Sequence, residues 1–79
     1  MERAEVLQVV RERAVELLEV EAEAVQEDKS FVDDLQVDSL SLVELMMELE
    51  DVLGVELPED ELTGLTTIGG LVDLIVSKA

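Results

Sequence analysis

The sequence predicts an all-α protein: a small bundle of three main helices plus one short helix, with a long first connection. Three observations lead there. Apolar residues recur at helical spacing in three separate segments. Gly54 and Pro58 punctuate the chain where a helix should stop and a short one begin. The one alternating run, Val20-Ala22-Ala24, has no second strand to pair with. At 79 residues and 48% apolar, the chain has room for one domain, 1–79, and one modest core, and it is too apolar for a disordered tail.

The first helix, 2–18, places Val6, Leu7, Val10, Ala14 and Leu17 on one face. Its three arginines, Arg3, Arg11 and Arg13, share it with glutamates and allow local pairing. From Leu18 to Lys29 the reading is a loop or frayed turns, with Val25 as an anchor. Phe31, the only aromatic residue, is read as a core plug. The Phe31–Leu35 spacing suits one helical turn that ties the loop down.

The second helix, 38–53, has Asp38 as its N-cap. Its buried stripe is Leu42, Leu45, Met46, Leu49 and Leu53, and Gly54 stops it. Pro58 opens the short helix, 58–62, over Val55 and Leu57. Thr66 or Thr67 caps the last helix, 66–77, which carries Ile68, Leu71, Val72, Ile75 and Val76. Gly69 and Gly70 weaken its first turn. They either permit close packing or leave that turn loose.

Charge bears on partners. The formal charge is -16, and between Ser30 and Ser77 there are twelve acidic residues and no basic one. Such a surface repels nucleic acid and anionic membranes and attracts basic proteins, although acidity also simply keeps a small protein soluble. Cysteine is absent, which fits a reducing, cytoplasmic setting. No signal-peptide pattern or membrane-spanning run is expected, and a monomer is the simplest state.

Catalytic chemistry finds little footing. Without histidine or cysteine, a nucleophilic triad and the usual zinc sets are impossible. Asp33, Asp34 and Asp38 lack the spacing and glycine of a calcium loop, so no metal site is expected. Ser39 has no base to make it a nucleophile and is either an ordinary helix-start residue or an attachment point. Leu40, Val43 and Met47 lie at the edge of the buried stripe, interleaved with Glu44, Glu48, Glu50 and Asp51. They form either a wide core-facing band or a mixed apolar and acidic docking face.

The stretch SFVDDLQVDSLSLVELMM, residues 30–47, resembles the signature of the acyl carrier proteins, most of all the freestanding carriers of fatty acid or type II polyketide synthesis. The resemblance extends through ELEDVLGVELPEDELTGLTTIGGLVDLI and covers residues 30–76, while the first helix matches in length and pattern. It implies a single carrier domain whose Ser39 receives 4'-phosphopantetheine from coenzyme A through a phosphopantetheinyl transferase. The arm's thiol would carry acyl groups, so the chain itself would not be an enzyme. Asp38 and Leu40 match positions read by the transferase. Val43, Glu44, Met47, Glu50 and Asp51 match the face used by partners such as ketosynthases, acyltransferases and reductases. Met1 and the length suit a freestanding carrier.

Two departures matter. Gln36 stands where the family commonly has glycine, followed by Val37 in place of a frequent alanine. If that glycine sat at a positive dihedral, Gln36 would strain or reshape the turn. Leu42 replaces a common threonine and would narrow or reroute an acyl pocket. Two other functions compete with the acyl carrier: an acidic interaction module without an arm, and an aminoacyl or peptidyl carrier. The second usually shows a glycine-rich segment ahead of its serine, where this chain has DLQVDSL.

Overall fold

The computed structural model describes residues 2–62 and 66–78, the side chains of Glu59 and Leu62 excepted. Its order is α1 (Arg3–Leu18), a 3₁₀ turn (Ala22–Ala24), α2 (Ser39–Leu53), α3 (Glu59–Leu62) and α4 (Ile68–Lys78). The all-α expectation holds. Among the described residues the only β contact is an isolated antiparallel bridge between Ser30 and Thr67. Among the described residues no helix is long and apolar enough to cross a membrane.

The three longer helices meet in one core. Val6, Val10 and Ala14 of α1, Leu45, Met46 and Leu49 of α2, and Ile68, Leu71, Val72 and Ile75 of α4 are all buried. Each set repeats at three and four residues, which gathers it on one face of its helix. Leu42 and Leu53 of the predicted α2 stripe are half-buried against this core. Phe31, 1% exposed, plugs the core from the connection, as its place in the sequence suggested. Leu17 departs from expectation. It is 39% exposed, and Leu18 packs on the core in its place. Helical period does not separate the two, since Leu17 and Leu18 follow Ala14 at three and four residues, and packing selects Leu18.

The helix ends follow local chemistry. Glu19 closes α1 in the left-handed region at φ 57, a conformation that glycine adopts more readily. Gly54 closes α2 at φ 68, and its N–H donates to the Glu50 carbonyl at 2.9 Å. α4 begins two residues later than predicted because Thr66 and Thr67 are used otherwise. The Thr66 carbonyl accepts from Phe31 N at 3.0 Å, and Thr67 Oγ1 caps the Gly70 amide at 3.1 Å. Thr67 is therefore the capping threonine.

The long connection is tied down at both ends. Arg11 donates to the Val25 carbonyl through Nε (3.2 Å) and Nη2 (3.0 Å), and Val25 is buried. Further along, Ile68 N donates to the Lys29 carbonyl at 3.0 Å and Gly69 N to the Glu27 carbonyl at 2.9 Å. A Cβ on Gly69 would lie 2.9 Å from that same Glu27 oxygen, so Gly69 is there for close approach and not for looseness. Arg3 locks the arrangement from outside, pairing with Glu27 and, at 2.9 Å, with Asp73. The predicted single helical turn is present from Phe31 to Leu35: Asp34 N donates to the Ser30 carbonyl four residues back at 3.1 Å, and Leu35 N donates to the same oxygen at 3.1 Å.

Candidate functional site

Ser39 is the first residue of α2 and is exposed. Its position is set from both sides. On the N-terminal side, buried Val37 donates its amide to the Phe31 carbonyl at 2.8 Å, which anchors the approach to the core. On the C-terminal side, Asp38 Oδ1 accepts from Ser41 N at 2.7 Å, and the Asp38 carbonyl accepts from Leu42 N at 3.0 Å. Asp38 is thus the N-cap that the sequence suggested. Hydrogen bonding from Ser41, chiefly its backbone amide, holds the Asp38 carboxyl below the usual carboxylate range. The group is therefore ionised at neutral pH.

Gln36 lies at φ 56, in the left-handed region. The sequence comparison anticipated this consequence of having glutamine at a glycine-like position. The backbone keeps the conformation, and glutamine bears the strain of a side chain there. Asp34, adjacent in this turn, uses Oδ2 to accept the Ser30 amide at 2.7 Å, while Ser30 Oγ accepts from Asp33 N at 3.2 Å. The acidic pair at 33 and 34 therefore shapes the turn through Asp34 and leaves Asp33 facing water.

The band along α2 turns outward. Leu40 is 68% exposed, Val43 50% and Met47 63%, so these three are not core residues. Glu44 and Asp51 are exposed on the same side, Glu44 four residues after Leu40 and three before Met47, and Asp51 four after Met47. Glu50 differs. It is half-buried, and its Oε2 accepts the Leu57 amide at 3.2 Å, which braces the connection after α2. Glu48 is also half-buried and meets Arg13 Nη1 at 3.4 Å. Two residues near this face were read otherwise in the sequence, Leu17 as part of the buried face of the first helix and Arg13 as a local pairing partner on that helix. For Leu17 the ambiguity is one of phase between Leu17 and Leu18, which one apolar run does not resolve.

The arrangement provides an exposed hydroxyl at a helix start beside an apolar and acidic face. That is the geometry of a handle with a docking surface next to it. Comparison with known proteins agrees. A family model described as "Phosphopantetheine attachment site" matches residues 8–75. The chain is 43% identical to the acyl carrier protein of Rubrobacter xylanophilus over 76 residues, 96% of this chain and 94% of that one. It is 46% identical to the acyl carrier protein of Rhodococcus erythropolis over 72 residues, 91% of this chain and 75% of the relative. The solved structure of the acyl carrier protein from Enterococcus faecalis superposes with a TM-score of 0.82 at 38% identity, covering 100% of both chains. The chain belongs to the acyl carrier protein family.

Proposed function

We propose that Ser39 receives 4'-phosphopantetheine as a phosphodiester and that the chain, acting as one carrier unit over residues 1–79, presents acyl or polyketide intermediates to partner enzymes. The carrier role follows from the family. The assignment to Ser39 is supported above all by its exposed hydroxyl at the first position of α2, next to a carboxylate that fixes the turn. When bound, the group supplies the terminal thiol for thioester carriage, which this cysteine-free chain lacks.

The residues around Ser39 fit such a group. A helix N-terminus favours the phosphodiester charge through its amides and dipole. Asp38 opposes it by like charge, but its carboxylate is turned to the Ser41 amide and satisfied there. Leu40, beyond Ser39, offers an apolar contact for the transferase. Val43, Glu44, Met47 and Asp51 offer the next contacts to ketosynthases, acyltransferases or reductases with basic patches, and Glu50 supports that face by bracing the turn beneath it. Weak, electrostatically steered encounters suit a shuttle that works in the cytoplasm and serves several enzymes in turn.

The test is an intact mass after incubation with coenzyme A, magnesium and a broad-specificity phosphopantetheinyl transferase. The parent should gain one phosphopantetheine group and Ser39→Ala none, with both folded. A parent that stays unmodified beside a working control carrier would overturn the reading.

A further inference from the structure

Gln36 stands apart from its surroundings in two ways. Its backbone lies at φ 56, a conformation that glycine adopts freely and glutamine does not. Its side chain is exposed and, among the described residues, donates no hydrogen bond that would offset the strain. The other two glutamines both bond within the chain, Gln8 Nε2 to Glu12 at 3.1 Å and Gln26 Nε2 to the Glu23 carbonyl at 2.8 Å. The second distinction is chemical. From Ser30 to Ser77 there is no lysine, arginine, histidine, asparagine or tryptophan, so Gln36 is the only side chain in that stretch that carries an N–H.

A phosphodiester on Ser39 would bring a further negative charge to a chain of formal charge -16, next to ionised Asp38. The start of α2 compensates for only part of this. Of its first four amides, Asp38 already holds two, Ser41 N through Oδ1 at 2.7 Å and Leu42 N through its carbonyl at 3.0 Å. The cations are engaged elsewhere. The three arginines lie on α1 and bond to groups outside this turn, Lys78 pairs with Glu61, and Lys29 is half-buried with its carbonyl tied to the head of α4. Gln36 precedes Ser39 by three residues. Their Cα atoms are therefore at most about 11 Å apart however the chain runs, a gap that a glutamine side chain and a serine-linked phosphate can close between them. The amides of Leu35 and Val37 are both bonded back, at 3.1 and 2.8 Å, so the backbone on each side of Gln36 is held.

We infer that the Gln36 carboxamide donates an N–H to the phosphodiester of the arm on Ser39, which makes Gln36 a positioning residue for that arm. The inference rests on the carrier reading and adds a residue to the same site. Loading then stabilises the strained turn that leads to the serine.

The experiment compares the full chain with Gln36→Met, each before and after loading with coenzyme A, magnesium and the transferase, with intact mass reporting the extent. Methionine is similarly long and unbranched and keeps the left-handed strain without an N–H, so its other effects cancel between the loaded and unloaded forms. Loading should raise the Tm of the parent by about 2–4 °C more than that of Gln36→Met. In the ¹⁵N-labelled parent, the side-chain N–H pair of Gln36, identified by its absence from Gln36→Gly, should move downfield on loading while the pairs of Gln8 and Gln26 stay in place. If Gln36→Met does not fold, that resonance decides. Equal Tm changes in the two proteins, or a Gln36 pair that does not move, overturn the inference and leave the carrier reading intact, because both proteins are loaded. A Gln36→Met protein with a raised KM for loading but the parent's Tm change assigns the side chain to the transferase, which also overturns the inference. A parent that is not loaded overturns both readings.

Discussion

Two helix starts in this molecule are built to opposite ends. At the head of α4, the amides of Ile68, Gly69 and Gly70 are taken up by Lys29, Glu27 and Thr67, all from the chain itself. The long connection lies so close there that only glycine fits at position 69. At the head of α2, one carboxylate caps one amide, and the next residue, Ser39, faces water. The first start is closed by protein; the second is held open by a minimal cap. The contrast shows how a small fold leaves one hydroxyl in reach of a partner. Ser39 needs no enclosing pocket, because its position is fixed by buried Val37 before it and the buried stripe of α2 after it. Those in turn depend on the connection that α4 holds shut. The open helix end is supported by one sealed for stability.

Three substitutions probe that division. Gly69→Ala should have the largest effect on the fold. It drives a Cβ to 2.9 Å from a backbone oxygen, so the strand-like contact must open, with a loss of about 1–3 kcal/mol in urea unfolding. If the variant matched the parent, the sealed start would not be the support described here. Asp38→Ala should weaken the fold less but in a pH-dependent manner. Because the folded carboxyl titrates below its ordinary value, its stabilisation is complete above the unfolded carboxylate range and disappears as pH falls through the folded value. The gap in Tm between parent and variant should therefore be widest near neutral pH and close in acid. A gap that stays constant would contradict the cap. Gln36→Gly should give the smallest change, and with the opposite sign. Relief of about 1–2 kcal/mol of left-handed strain, less the chain entropy of an added glycine, leaves a gain of about 0.5–1 kcal/mol. Gln36→Ala should bring no such gain, and a destabilised Gln36→Gly would show that the glutamine side chain itself supports the turn.

The same contrast divides what could be read in the sequence from what could not. The helices were legible because burial repeats at 3.6 residues, as in Val6-Val10-Ala14 and Leu45-Leu49. The α2 cap was legible because Asp38 lies directly before the stripe. The site residues Ser39, Leu40, Val43, Glu44, Met47 and Asp51 were placed by their position relative to that stripe and by resemblance, and the fold brings them to one exposed side. The sealed start of α4 was not legible. It is made by backbone groups some forty residues apart, and Gly69 alone left two meanings open. Leu17 was assigned to the core because adjacent leucines at 17 and 18 fit an apolar face almost equally, and only packing selects one. Glu50 was legible as an acidic residue of α2 but not as an acceptor for Leu57, since that depends on how the chain turns back after Gly54. Patterns repeated along one helix survive reading from sequence; contacts between distant backbones do not.

The measurement that bears most directly on the open start is the location of the added group. Trypsin leaves residues 30–78 as one fragment, because no lysine or arginine lies between Lys29 and Lys78, and that fragment holds Ser30, Ser39, Ser41 and Ser77. Fragmentation of this peptide from the loaded protein should place the phosphopantetheine on Ser39 alone. A group found on Ser41 or Ser30 would contradict the account, since it would mean that the hydroxyl held open at the head of α2 is not the one the transferase uses.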